Sequence, residues 1–102
     1  MSGPDEKALE MVTGPGAVTV RGEIDRNTIG PLVEAIETTG DTIVVVDLEN
    51  VSFLDSSGLQ GILFAQQAAR QRGGDIVLRH PSHVVSRVLD IAGLREALVI
   101  DD

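Results

Sequence analysis

The chain contains no cysteine, no tryptophan and no tyrosine, and only two phenylalanines. Without cysteine there is no disulfide framework and no thiolate metal site, which fits a reducing compartment. With aromatics at 2%, the core must be built from Val, Ile, Leu and Ala, and the stacking platforms that grip single-stranded nucleic acid are missing. No apolar run approaches the roughly 20 residues needed to cross a bilayer, and the opening Met-Ser-Gly-Pro-Asp-Glu-Lys has no apolar signal core. The expectation is a soluble, cytoplasmic protein without a membrane contact. Basic residues are scarce as well: 8 Lys and Arg stand against 16 Asp and Glu, a net charge of −8. That balance argues against DNA, RNA or an anionic membrane as the main partner. The deficit lies entirely in residues 1–60, with 11 acids and 3 bases; residues 61–102 carry 5 of each. The first half therefore offers either a solvated acidic face or a docking face for a basic partner.

What is present is a 102-residue chain that is 42% hydrophobic, enough for one domain with a modest core. Residues 1–7 are small and polar and are expected to be flexible; residues 8–102 form the domain. Residues 8–12 and 17–21 read as strands joined by the turn Thr13-Gly14-Pro15-Gly16. Residues 22–27 read as a loop. Ile29, Leu32, Val33 and Ile36 then fall at i, i+3, i+4 and i+7 of a helix, with Pro31 in its first turn. Residues 42–48 are almost continuously apolar, as expected of a strand covered on both faces. After a short loop, residues 57–72 read as a second helix with Leu59, Ile62, Leu63, Gln66 and Ala69 inward. Residues 75–79 are a strand. A third helix follows, with Ser82 as N-cap and Val85, Val88, Leu89 and Ala92 inward; Gly93 ends it. Residues 98–100 are a last short strand. The order β-β-α-β-α-β-α-β predicts an α/β fold with a mixed, mostly parallel sheet.

Enzyme signatures are absent: the chain has no Gly-x-Ser-x-Gly elbow, no phosphate-binding loop and no dinucleotide fingerprint. No cofactor is expected. The histidines, His80 and His83, flank Pro81-Ser82 with no carboxylate obviously placed to join them, and read as surface residues rather than metal ligands.

The informative segment is Asp55-Ser56-Ser57-Gly58-Leu59-Gln60-Gly61, at the start of the second helix. A helix N-terminus gathers unpaired N–H groups and the positive end of the helix dipole. A hydroxyl there is either a cap or a site for phosphate. Ser57-x-x-Gln60 makes a capping box, yet one cap suffices and three polar groups stand in a row. Gly58 and Gly61 cost helix propensity. They leave a bare surface that another molecule's backbone can approach, or they serve close packing. In a parallel α/β sheet the loops after strand C-termini gather at one end, so residues 23–28, with Asp25 and Thr28, are expected beside Ser56.

Residues 44–63 resemble the signature of STAS domains, in particular the bacterial anti-sigma factor antagonists: an apolar strand, Asp-Leu, then Phe-x-Asp-Ser-Ser-Gly-Leu and an apolar helix. Gly22-Glu23-Ile24-Asp25 is similar to that family's turn before the first helix, and residues 81–94 are similar to its third helix with the Gly-Leu exit. The three segments stand in the family's order across residues 8–100. The resemblance implies that Ser56 is a phosphoacceptor. It implies binding to an anti-sigma factor, often a serine kinase, which frees a sigma factor until phosphorylation ends the contact; a PP2C-type phosphatase reverses the switch. The partner-binding residues so implied are Asp25, Thr28, Asp55, Ser56, Ser57, Gly58, Leu59 and Gln60, in a monomer or weak dimer that is not an enzyme. Gln60 stands where the family often has Gly, and Pro31 lies at the first helix start, departures that bear on partner choice. Two other functions fit the residues less fully: a STAS scaffold without a switch, as in a stress-sensing or transport complex, and a small-ligand or nucleotide binder.

Overall fold

Val18 and Val20 alternate with Thr19 and Arg21, and the same period of two recurs through Val44, Val46 and Leu48 and through Ile76 and Leu78. The computed structural model, which describes residues 9–102, buries all seven of these aliphatic side chains and leaves Thr19 and Arg79 exposed. The elements are β1 (Glu10–Gly14), β2 (Ala17–Ile24), α1 (Ile29–Thr38), β3 (Ile43–Leu54), α2 (Ser56–Gln71), β4 (Asp75–Arg79), α3 (His83–Ala92) and β5 (Val99–Asp101). They form one five-stranded sheet in the order β1-β2-β3-β4-β5. Only β1 and β2 are antiparallel; every later pair is parallel. Leu32 and Ile36 of α1, Leu59, Ile62, Ala65 and Ala69 of α2, and Val85 and Leu89 of α3 join the strand residues in one core. Burying such aliphatic side chains contributes about 1.5–3 kcal/mol each. Ser82 caps α3 as expected, its hydroxyl accepting from the Val85 N–H at 3.3 Å.

β3 departs from the sequence reading. It runs 12 residues, to Leu54, where a loop from residue 49 was expected. It is also covered on one face only: Val45 and Asp47 are half-buried and Ile43 is exposed. The polar residues Glu49, Asn50 and Ser52, which read as loop, are exposed positions of a strand that pairs with β2 alone over this stretch. The pairing slips between Thr19 and Arg21 and again between Gly22 and Glu23. These irregularities break the simple alternation that marks a strand in sequence. β2 is correspondingly longer, taking in residues 22–24. β4 pairs with β3 only from Ile43 to Asp47. Beyond it, Ser82 closes the open edge: its N–H donates to the Leu48 carbonyl at 3.2 Å and its hydroxyl to the Val51 carbonyl at 2.7 Å. At the other boundaries the shifts are small. β1 begins at Glu10, and the part of its expected range at residue 8 lies outside the described residues, as does the expected flexible segment 1–7.

The two glycines of α2 point inward. A Cβ on Gly58 would lie 2.7 Å from Ile24 Cγ2 and from the Ile24 carbonyl oxygen, and 2.8 Å from Leu54 Cδ1. A Cβ on Gly61 would collide with Ile29 Cγ1 of α1. The missing side chains therefore let α2 sit against the ends of β2 and β3 and against α1. The partner across Gly61 is a helix rather than the sheet. Replacing Gly58 by Leu gains roughly 0.8 kcal/mol of helix propensity but forces β2 backbone apart. The net expectation is a loss of about 1–3 kcal/mol, read as a lower denaturation midpoint in urea. An unchanged or raised midpoint would place Gly58 on the surface.

Candidate functional site

The parallel register of β2 and β3 pairs Ile24 with Leu54 at their C-terminal ends. The next residues, Asp25 and Asp55, therefore leave the sheet side by side. The Asp55 N–H donates to the Ile24 carbonyl at 3.2 Å, which ties the two exits together. Each aspartate then organises its own helix start. Asp25 Oδ1 accepts from the N–H groups of Asn27 at 2.8 Å and Thr28 at 3.1 Å. The Asp25 carbonyl accepts from the Ile29 N–H at 2.8 Å. Asp55 has extended backbone, φ −104° and ψ −176°, and its Oδ1 accepts from the Gly58 N–H at 2.8 Å. Asp55 is thus the N-cap of α2. The capping box expected at Ser57 and Gln60 does not form, because Ser57 already lies inside the helix and Asp55 occupies the cap position.

This capping separates the two serines from the task of holding the helix. Ser56 is the first residue of α2 and is exposed. Among the described residues no hydrogen bond engages its hydroxyl or that of Ser57, whereas the hydroxyls of Thr28 and Ser82 are committed. Thr28 Oγ1 donates to the Glu23 carbonyl at 2.8 Å and accepts from the Asp25 N–H at 2.9 Å. Ser82 Oγ is used twice, as described above. Ser57 is half-buried. Of the two uncommitted hydroxyls that of Ser56 is the more exposed, and it stands where free N–H groups and the helix dipole favour an added anion.

Of the residues singled out from sequence, Asp25, Thr28, Asp55, Ser56, Ser57 and Gln60 come together at the surface of the β2–α1 and β3–α2 junctions, with Gln60 exposed one turn along α2. Gly58 and Leu59 do not join them. Both are buried, and the reading of Gly58 as a bare outer surface is corrected by its contacts with Ile24 and Leu54. Two exposed apolar side chains escaped the sequence reading: Phe53, at the end of β3, and Phe64, at 62% exposure on α2. Phe53 pairs in register with Glu23 on the sheet face opposite the core. It faces the same side as Val45 and Asp47, and it was missed because residues 49–54 read as loop rather than strand. Phe64 had a visible signal, since it falls outside the Leu59-Ile62-Leu63-Gln66 stripe.

Comparison with known proteins agrees with this geometry. The family model described as Mlab, STAS domain, matches residues 8–100. The anti-sigma F factor antagonist of Paenibacillus polymyxa is 34% identical over 100 residues, covering 92% of this chain and 86% of that protein. The crystal structure of an anti-sigma factor antagonist from Mycobacterium paratuberculosis superposes with a TM-score of 0.78 at 25% identity, over 99% of this chain and 90% of that one. The Bacillus protein SpoIIAA shares the fold at 24% identity in both states: TM-score 0.71 unphosphorylated, over 93% of this chain and 89% of that one, and 0.65 phosphorylated, over 93% and 92%. With its five-stranded mixed sheet, three helices and Asp-Ser-Ser-Gly helix start, the chain belongs to the STAS domain family and, within it, to the anti-sigma factor antagonists.

Proposed function

We propose that the chain is a phosphorylation-switched binding module. Unphosphorylated, it binds an anti-sigma factor and so frees a sigma factor. The anti-sigma factor is a serine kinase that transfers the terminal phosphoryl group of Mg-ATP to Ser56 Oγ, releasing ADP, and this ends the contact. A PP2C-type phosphatase hydrolyses the ester and restores binding. In this scheme the chain is a binder and a substrate, with no catalytic residue of its own.

The observation that carries this reading is the free hydroxyl of Ser56 at the tip of α2, flanked by Asp55 and Asp25 and held by neither. A phosphate adds about −1.5 to −2 charges and three strong acceptors. The helix N-terminus offsets that charge locally, so folding is little affected. A partner seated on the two junctions meets the same charge and bulk directly. SpoIIAA keeps this fold with and without phosphate, which supports a switch of surface rather than of fold. The docking face then consists of Asp25, Thr28, Asp55, Ser56, Ser57 and Gln60, while Gly58 and Leu59 hold it against the core from behind.

Two outcomes are expected. After reaction with the cognate kinase and ATP, peptide mass spectrometry places the phosphate on Ser56; a phosphate found only on Thr28, Ser57 or Ser82 would overturn the assignment. Ser56→Ala keeps anti-sigma binding and loses its regulation, and Ser56→Asp binds at least about tenfold more weakly, a cost of some 1.4 kcal/mol. Both variants should keep stability within about 0.5 kcal/mol, as is usual at exposed positions. Equal affinities of the two variants in calorimetric titration would count against the switch.

A further inference from the structure

The sheet face opposite the core carries a second cluster. Asp47 lies on this face of β3, half-buried, and Glu49 follows two residues on, exposed, in the stretch where the pairing with β2 slips. The register of β3 with β4 sets Asp47 beside Arg79, and His80 comes next in the chain. Sequence reading found no carboxylate for the histidines; the strand pairing supplies two. One ligand atom from each of Asp47, Glu49 and His80 lies within 4.8 Å of the others. We infer that these three residues form a binding site for a first-row divalent cation such as Zn²⁺.

The geometry supports this beyond proximity. His80 Nδ1 stands 3.6 Å from Asp47 Oδ2. Two ligands each about 2.0–2.2 Å from a tetrahedral Zn²⁺ are about 3.3–3.6 Å apart, so this separation is already that of a ligand pair. The carboxylate is positioned from behind. Asp47 Oδ1 accepts from the Glu49 N–H at 3.0 Å, which orients the carboxylate and leaves Oδ2 toward the imidazole. The His80 backbone N–H donates to the Asp101 carbonyl at 2.8 Å, which fixes the main chain there. His80 is also the only non-glycine among the described residues with positive φ, +48°. An outer hydrogen bond such as that on Asp47 Oδ1 is a usual support of a ligating carboxylate. The Arg79 guanidinium, across from Asp47 in the register, is paired with Asp101 Oδ2 at 3.5 Å. Glu49 is exposed and can close on an ion as a third ligand, with water completing the shell. One imidazole nitrogen with two carboxylates suits Zn²⁺ and its neighbours better than Mg²⁺ or Ca²⁺, which prefer oxygen throughout. The site is separate from the Ser56 junction. Asp47 and Asp55, the residue after β3, are eight residues apart, about 26 Å at 3.3 Å per residue.

The test is calorimetric titration of the 102-residue chain with ZnCl₂ in a non-chelating buffer. The expected result is one Zn²⁺ per chain. His80→Ala and Asp47→Asn should each weaken it at least about tenfold. His83→Ala, outside the cluster, should leave it unchanged, and Mg²⁺ at equal concentration should not displace Zn²⁺. Glu49→Gln, at an exposed position, provides a variant with little risk to folding and should weaken binding in the same direction. Equal affinity in all variants would overturn the site, as would the absence of saturable binding at about 1 mM, the weakest useful range. Because Ser56 contributes no ligand, Ser56→Ala should bind Zn²⁺ like the parent. Failure of this site therefore leaves the switch standing, and failure of the switch leaves this site standing.

Discussion

The site depends on two parallel strands ending at the same level. The hydrogen bond from the Asp55 N–H to the Ile24 carbonyl joins those ends, and the glycine at 58 lets α2 close over them. Everything at the surface follows from this junction. It sets Asp25 beside Asp55, starts α1 and α2 next to each other, and leaves the first residue of α2 pointing outward. A strand end displaced by one residue would turn each side chain to the opposite face. Ser56 would then lose its place at the junction. The pairing slips along β2 and β3 therefore set the level at which the strands end, and with it the site.

A division of labour among adjacent residues makes the serine available. Capping an α-helix is worth about 1 kcal/mol, and a serine that performed it would lose stability when modified. Asp55 takes that role through the Gly58 N–H, and Thr28 is locked into the turn before α1. Ser56 is left with no structural duty. It can carry a doubly charged group at a helix N-terminus, where the backbone favours the anion, while Asp55 and Asp25 add negative charge at the same surface. The fold is thus insulated from an event that a docked partner would feel fully.

Much of this was legible in the sequence. The order of elements, the inward stripes of α1 and α2 and the Ser82 cap rest on local periodicity and local chemistry, which sequence displays directly, whereas the choice of Ser56 rests on the resemblance of Asp55-Ser56-Ser57-Gly58 to the family signature. What was not legible depends on pairing at long range. The length of β3 was hidden because its second half pairs with β2 alone and so carries polar residues. Gly58 read as bare surface because nothing local reveals Ile24 and Leu54 behind it. Asp55 rather than Ser57 proved to be the cap, a choice between neighbours that turns on where the helix begins. Asp47 and His80 are 33 positions apart and meet only through the register of β3 with β4.

Modification of Ser56 is expected to change a surface and not a fold. The most direct test is a comparison of backbone amide spectra of the protein with serine and with phosphoserine incorporated at position 56. The expected shift changes are confined to residues 24–29 and 54–60, with the amides of β1, β4 and α3 unmoved. Changes spread through those distant elements would contradict this, because the phosphate would then be acting by rearranging the domain.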